Sequence, residues 1–199
     1  YLYKTAIDTS RTGIPMMRSM VLEFTEDRNC HYLDKQYMLG DALLVAPVFN
    51  EESKGIFYLP KGNWTDFFTG EVMDGGTWIE KEYDYLHLPL MVKENSIITL
   101  GRDDRPDYDY ADDVEIRIYA LQEGQEASTI IYNMQGEIDL KISAKKLDGT
   151  ILLQTAASKP YTIRLINVTG VAATGASTKK DGNDTIVIPS ADRIEIRPE

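Results

Sequence analysis

The second half of the chain is dominated by short segments in which apolar residues occupy every second position. Val114, Ile116 and Ile118 open this pattern. It recurs in four further segments, at residues 138–143, 161–165, 186–188 and 194–196. Period-two spacing is typical of antiparallel strands with one face on a core and the other in water. Turn residues between the segments, such as Asp148 and Gly149, support that interpretation. This half is therefore predicted to be an all-β domain.

The chain opens differently, with an α/β pattern. Residues 1–12 predict a helix that stops near Gly13. Residues 15–22 form a nearly continuous apolar run with one arginine, which is typical of a strand buried on both faces of a parallel sheet. This unit is not repeated further along the chain.

Short β-prone pieces follow from Thr25 onward, separated by glycine- and proline-containing turns. They lie at residues 55–59, 64–68, 77–81, 88–92 and 97–100. Strands at this spacing predict a small sandwich or barrel. The acidic stretch of residues 101–113 then indicates a boundary between two modules.

Composition excludes several classes of function. A net charge of -11 without clustered basic residues argues against binding to nucleic-acid phosphates. No stretch reaches the roughly 20 apolar residues of a membrane span, so no membrane partner is predicted. The single cysteine, Cys30, excludes an internal disulfide and fits a reducing compartment.

Few residues predict chemistry by themselves. The aspartates of residues 101–113 are expected to be solvated, because charge runs usually lie in exposed segments. Glu23 follows the buried run, where α/β active sites gather, but a lone glutamate is more often structural. His31 and His87 offer no zinc spacing, and His87 is expected to be a half-exposed strand residue. No metal and no cofactor are predicted.

Six aromatic residues within 22 positions leave two interpretations open. They are Trp64, Phe67, Phe68, Trp78, Tyr83 and Tyr85. Exposed rings can stack on sugars, which would make the region a carbohydrate-binding module. Alternatively, Trp64 and Phe68 fill the core of a small sandwich, and this second interpretation is favoured.

Several motifs of the first hundred residues are similar to one enzyme family. These are residues 13–18 (GIPMMR), 34–41 (DKQYMLGD), 43–48 (LLVAPV) and 57–66 (FYLPKGNWTD). Together they resemble glycoside hydrolase family 31. The residues of the first two motifs are most similar to those of the bacterial α-xylosidase branch. The resemblance is specific to about residue 105 and becomes general β-patterning beyond it.

The resemblance implies a mainly β fold, with two consecutive β-sandwich domains preceded by the last helix and strand of a (β/α)8 barrel. It makes residues 1–22 the barrel remnant, residues 23–104 the proximal sandwich and residues 105–199 the distal sandwich. The family's catalytic aspartates belong to upstream barrel strands, so no catalytic residue is carried over. No substrate-binding residue is carried over either, and Trp64 and Trp78 remain the alternative sugar contacts.

The expected function is that of a non-catalytic accessory region. No Met precedes Tyr1, and the chain is predicted to be a fragment of a retaining α-glycosidase. Its expected partners are the catalytic barrel of the same polypeptide, the parent's oligosaccharide substrate and a second copy in a homo-oligomer. The predicted location is the bacterial cytoplasm. Without the barrel, residues 16–22 are expected to be disordered or to pair with another copy.

Overall fold

The computed structural model describes residues 1–105 and 107–199, which form two compact units. The N-terminal unit contains residues 8–94, and the C-terminal unit contains residues 1–7 and 95–199. The first helix, α1 (Leu2–Thr12), confirms the helix predicted at the start of the chain. Residues 1–7 belong to the C-terminal unit because Tyr3 contacts it twice. Its ring lies 4.6 Å from that of Tyr110, and its hydroxyl donates to the carbonyl of Asn133.

The N-terminal unit consists of two antiparallel sheets and two short helices. Its elements are β1 (Met17–Ser19), α2 (Met20–Glu23), a 3-10 helix (Arg28–Tyr32), β2 (Tyr37–Leu39), β3 (Leu43–Val45), β4 (Lys54–Leu59), β5 (Asn63–Asp66), β6 (Val72–Asp74), β7 (Thr77–Glu82) and β8 (Leu90–Lys93). The larger sheet has the order β1-β2-β3-β8-β5-β6, and β4 pairs with β7 in the smaller one. The predicted short strands of this region are therefore confirmed to within a few residues.

The apolar run of residues 15–22 is not the buried parallel strand that the sequence predicts. Only β1 is extended, and it pairs antiparallel with β2 at the edge of the larger sheet. The chain then turns into α2, and the Met17 side chain is 60% exposed. The expected disorder is not found, because β1 pairs with β2 of the same chain. Pairing with another copy stays a prediction. The part of the family's barrel that the sequence predicts here is thus not formed.

A core of large side chains joins the two sheets of the N-terminal unit. Met38 and Leu44 contribute from the larger sheet, and Phe57 and Leu59 from the smaller one. All four are fully buried. Burying each such side chain stabilises the fold by about 1.5–3 kcal/mol relative to exposure. The unit therefore has a hydrophobic core of its own.

The C-terminal unit is a sandwich of two five-stranded sheets. Its strands are β9 (Ser96–Leu100), β10 (Val114–Tyr119), β11 (Glu126–Tyr132), β12 (Ile138–Leu147), β13 (Thr150–Ala157), β14 (Tyr161–Leu165), β15 (Val171–Thr174), β16 (Ala176–Asp181), β17 (Asp184–Pro189) and β18 (Arg193–Pro198). One sheet has the order β16-β17-β14-β10-β9 and the other has the order β11-β12-β13-β18-β15. Their inner faces share one cluster of buried aliphatic side chains.

The two units divide between Glu94 and Asn95, whereas the sequence predicts a boundary at residues 104 and 105. The difference arises because β9 pairs antiparallel with β10 and so joins the C-terminal sandwich. The domain limits of the parent protein, at 22 and 104, stay a prediction. In the described part of the chain, no helix has the length and apolarity that crossing a membrane requires.

Candidate functional site

Trp64 lies in the core of the N-terminal unit. Its side chain is 1% exposed, and the indole Nε1 donates a 2.8 Å hydrogen bond to the carbonyl of Pro60. The Phe24 ring lies 6.2 Å away in a tilted arrangement. Because no face of the indole reaches solvent, Trp64 cannot serve as the stacking surface that one interpretation of the aromatic residues assigned to it.

Trp78 is the exposed tryptophan. It lies opposite Tyr58 in the β4–β7 pair, is 54% exposed, and its ring is 5.6 Å from the Tyr58 ring. Tyr58 is held in place, because its hydroxyl donates to Asp27 at 2.9 Å and accepts from Asn29 at 3.2 Å. Burial raises the pKa of Tyr58, so its hydroxyl stays protonated near neutral pH. An exposed indole on a fixed aromatic base is a geometry that can stack on a sugar ring.

A small pocket of about 190 Å³ lies beside the loop that follows β7. Phe68 and His87 line it and contact each other edge to face, with ring centroids 5.4 Å apart. The hydroxyl of Tyr83, which also lines the pocket, is buried and has no hydrogen-bond partner among the described residues. Burial, with Asp66 and Glu71 nearby, raises the pKa of Tyr83 to about 12. The Tyr83 hydroxyl is therefore protonated near neutral pH and can donate a hydrogen bond.

His87 has the half exposure that the sequence predicts, but it lies in this loop rather than in a strand. Its Nδ1 contacts Asp84 at 2.6 Å. That hydrogen bond lowers the pKa of the Asp84 carboxyl. The pair stabilises the loop conformation, and Phe68 is half exposed beside it rather than part of the core.

Several of the carboxylates that the sequence singles out are engaged in ion pairs. Glu23 lies in α2 and contacts Arg18 at 2.7 Å, which supports a structural role. In the acidic stretch, Asp112 pairs with Arg102 at 2.6 Å and Asp109 pairs with Lys159 at 2.8 Å. The hydrogen bond from Lys159 lowers the pKa of Asp109.

Metal-binding and thiol chemistry find no support in the described residues. Among them, no group of three or more His, Cys, Asp or Glu side chains is arranged to hold a metal ion. Cys30 is buried in the core of the N-terminal unit, and burial together with Asp27 raises its pKa to about 11. A protonated, buried thiol is a poor nucleophile.

Two features escaped sequence reasoning: the Tyr83 pocket and a groove on one sheet of the C-terminal unit. The groove has a volume of about 610 Å³ and is lined mainly by solvent-facing side chains of several strands. The sequence signal for this groove was the polar residues that occupy every second position of the alternating strands. Their grouping depends on strand order, which the sequence does not reveal.

Two family profiles match consecutive parts of the chain. The "Glycosyl hydrolase family 31 C-terminal domain" matches residues 13–98, and the "Alpha-xylosidase YicI, C-terminal domain" matches residues 109–197. The chain belongs to glycoside hydrolase family 31. The resemblance read from its motifs is thereby confirmed, as is the mainly β character of the fold.

Two curated relatives show how large a part of a longer protein this family 31 chain matches. The alpha-xylosidase XylQ of Lactiplantibacillus pentosus is 35% identical over 201 residues, covering 96% of this chain and 24% of XylQ. The isomaltosyltransferase of Sporosarcina globispora is 43% identical over 102 residues, covering 51% of this chain and 9% of that enzyme. The chain therefore spans about a quarter or less of the length of these relatives.

Solved structures agree with the fold. The cycloalternan-forming enzyme of Listeria monocytogenes matches with a TM-score of 0.83 at 26% identity, over 100% of this chain and 22% of that one. A family 31 dextranase of Flavobacterium johnsoniae matches with a TM-score of 0.80 at 23% identity, over 99% of this chain and 31% of that one. The second likeness is one of fold alone.

Proposed function

We propose that the chain is the C-terminal accessory region of a retaining α-glycosidase of the α-xylosidase type, which hydrolyses terminal α-linked xylose or glucose. The observation that carries the proposal is that both matched profiles describe C-terminal domains and follow each other along the chain. The similarity to XylQ over nearly the whole chain supports the α-xylosidase branch. A cytoplasmic location and a homo-oligomeric parent stay predictions.

Within that enzyme, the role of this chain is structural. Glycoside hydrolysis needs two carboxyl groups that flank a sugar, about 5–9.5 Å apart. Here Glu23 and Asp109 are engaged in ion pairs. Asp66 is buried and accepts hydrogen bonds from the backbone N–H groups of Phe68 and Thr69. These carboxylates stabilise loops and strands, and none of them is placed to act on a glycosidic bond.

The partner that this role requires is the catalytic barrel of the same polypeptide. Apolar side chains near the start of the N-terminal unit support such a partner, because Ile14, Met17 and Leu22 are about half exposed. Exposed apolar side chains of this kind are suited to an interaction surface. Contact with a barrel would bury these side chains.

The proposal predicts that the 199-residue chain alone does not hydrolyse aryl α-glycosides. The measurement is nitrophenol release from p-nitrophenyl α-xyloside and α-glucoside, with a full-length family 31 α-xylosidase as the positive control. Release above the uncatalysed rate that persists through repurification would contradict the structural role.

A second candidate function is carbohydrate binding through Trp78, favoured by its exposure and its fixed base of Tyr58. Titration with xylo-oligosaccharides should then change tryptophan fluorescence. The Trp64→Phe variant leaves Trp78 as the only indole and should retain the change, whereas Trp78→Ala should lose it. Absence of any change in the Trp64→Phe variant at millimolar sugar would rule out this candidate.

A further inference from the structure

The groove of the C-terminal unit lies on the solvent face of the sheet β11-β12-β13-β18-β15. Its volume of about 610 Å³ falls within the range of roughly 300–1,000 Å³ that is usual for small-molecule sites. It shares no residue with Trp78 or with the Tyr83 pocket. It is therefore a separate surface of the molecule.

Strand register arranges the lining in rows. One row crosses all five strands and consists of Glu126, Lys145, Leu152, Glu195 and Thr174. Because neighbouring strands are about 4.8 Å apart, this row spans roughly 19 Å. A second row, two residues along each strand, places Ser143, Gln154 and Arg193 side by side. Side chains directly opposite each other in this way can contact the same ligand.

Most polar side chains of the groove are unpaired, which distinguishes it from the other sheet of the sandwich; Glu195, which pairs with Arg197 at 2.6 Å, is the exception. On that sheet, Arg164 contacts three carboxylates. In the groove, by contrast, the side chains of Glu126, Lys145, Gln154 and Arg193 form no hydrogen bond or ion pair within the described part of the chain. Lys145 and Glu126 remain apart although they occupy opposite positions in β12 and β11. These donors and acceptors are available to a ligand.

The chemistry of the groove fits a neutral, hydroxyl-rich molecule. Two cationic and two anionic side chains line it, so it has no net charge, while the whole chain has a net charge of -11 and repels anions. Leu152 lies on the central strand, 36% exposed, and offers an apolar contact between the two rows. Sugar rings present apolar C–H faces edged by hydroxyls, each of which both donates and accepts hydrogen bonds.

We propose that this groove binds a neutral oligosaccharide in extended form across the five strands. Gln154 and Arg193 bind its hydroxyls, and Leu152 packs against a ring face. The choice of a glycan as ligand rests on the proposed role in an α-glycosidase. Such a site would hold part of a long substrate on the accessory region while the chemistry takes place elsewhere in the enzyme.

The test is titration of the ¹⁵N-labelled 199-residue chain with maltotriose, isomaltotriose and xylotriose, followed by NMR. A trimer of galacturonic acid serves as the anionic comparison. At least one neutral trisaccharide should shift the amide signals of β12, β13 and β18. The Gln154→Ala and Arg193→Ala variants should each bind about tenfold more weakly, because each removes one hydrogen-bonding partner.

One control variant should bind like the unaltered chain: Lys179→Ala, an exposed change on the opposite sheet. The proposal is overturned if no neutral trisaccharide binds at millimolar concentration, or if both groove variants bind unchanged. It is also overturned if the acidic trimer binds more tightly than the neutral trisaccharides. The same holds if the unaltered chain is a dimer and the groove substitutions make it monomeric, because the groove is then an interface between copies. Because binding is measured without turnover, these outcomes are distinct from hydrolysis of the aryl glycosides, which would contradict the accessory role.

Discussion

Replacing Trp64 with alanine is expected to lower the free energy of unfolding of the N-terminal unit by about 3–5 kcal/mol, the usual cost of truncating a buried Trp or Phe. The indole fills the core beside Phe24, so its removal leaves a cavity. The carbonyl of Pro60 also loses its 2.8 Å hydrogen bond. Since a domain is stable by only about 5–15 kcal/mol, this single change removes a large part of the unit's stability.

Trp78→Ala is the matched control, because it removes the same side chain from an exposed position. Its expected cost is below about 1 kcal/mol. Differential scanning calorimetry of both variants gives the comparison without relying on the lost fluorophores. Equal destabilisation by the two changes would show that the buried and exposed roles assigned to these residues are wrong.

Arg164→Met is expected to destabilise the C-terminal unit by about 2–3 kcal/mol, less than the cost of breaking a fully buried pair because the arginine side chain is 17% exposed. Arg164 contacts Asp181 at 2.8 Å, Glu115 at 3.2 Å and Asp184 at 3.3 Å. Burial alone would lower the pKa of Arg164, but Asp181, Glu115 and Asp184 outweigh it and raise that pKa. Methionine keeps most of the side-chain volume and leaves the carboxylates without their shared cation.

The control for this change is Arg197→Met. Arg197 contacts one carboxylate, that of Glu195, and is 64% exposed, so its loss should cost less than about 0.5 kcal/mol. Urea unfolding followed by far-UV circular dichroism measures both variants. Added salt should reduce the Arg164→Met effect, since it screens the repulsion among the remaining carboxylates. If Arg164→Met is no less stable than Arg197→Met, the cluster contributes little.

Alternation predicted most of the C-terminal sandwich correctly, because one face of each strand packs on a core. Val114, Ile116 and Ile118 are buried as expected. The pattern failed in β17, where Val187 is buried and Ile188 is 48% exposed. In a segment with three consecutive apolar residues, period two does not reveal which of them face inward. The register between β14 and β17, with Ile163 opposite Val187, decides it.

Sequence patterns were least informative where hydrophobic runs have several possible structures. Residues 15–22 contain enough apolar side chains for a buried strand, yet β1 ends at Ser19 and α2 follows. A short apolar run cannot by itself distinguish a buried strand from a strand that leads into a helix. Pairing with Tyr37–Leu39, which lies about twenty residues further along the chain, selected the edge position.

The amino-acid sequence by itself determined the family, the β-rich class and the positions of most strands, because motifs and alternation are local properties of the chain. Only the tertiary structure separated buried Trp64 from exposed Trp78, since that difference depends on which distant segments cover each ring. The groove likewise exists only after folding. Its two rows combine side chains from residue 126 to residue 195, and long-range strand pairing sets their order.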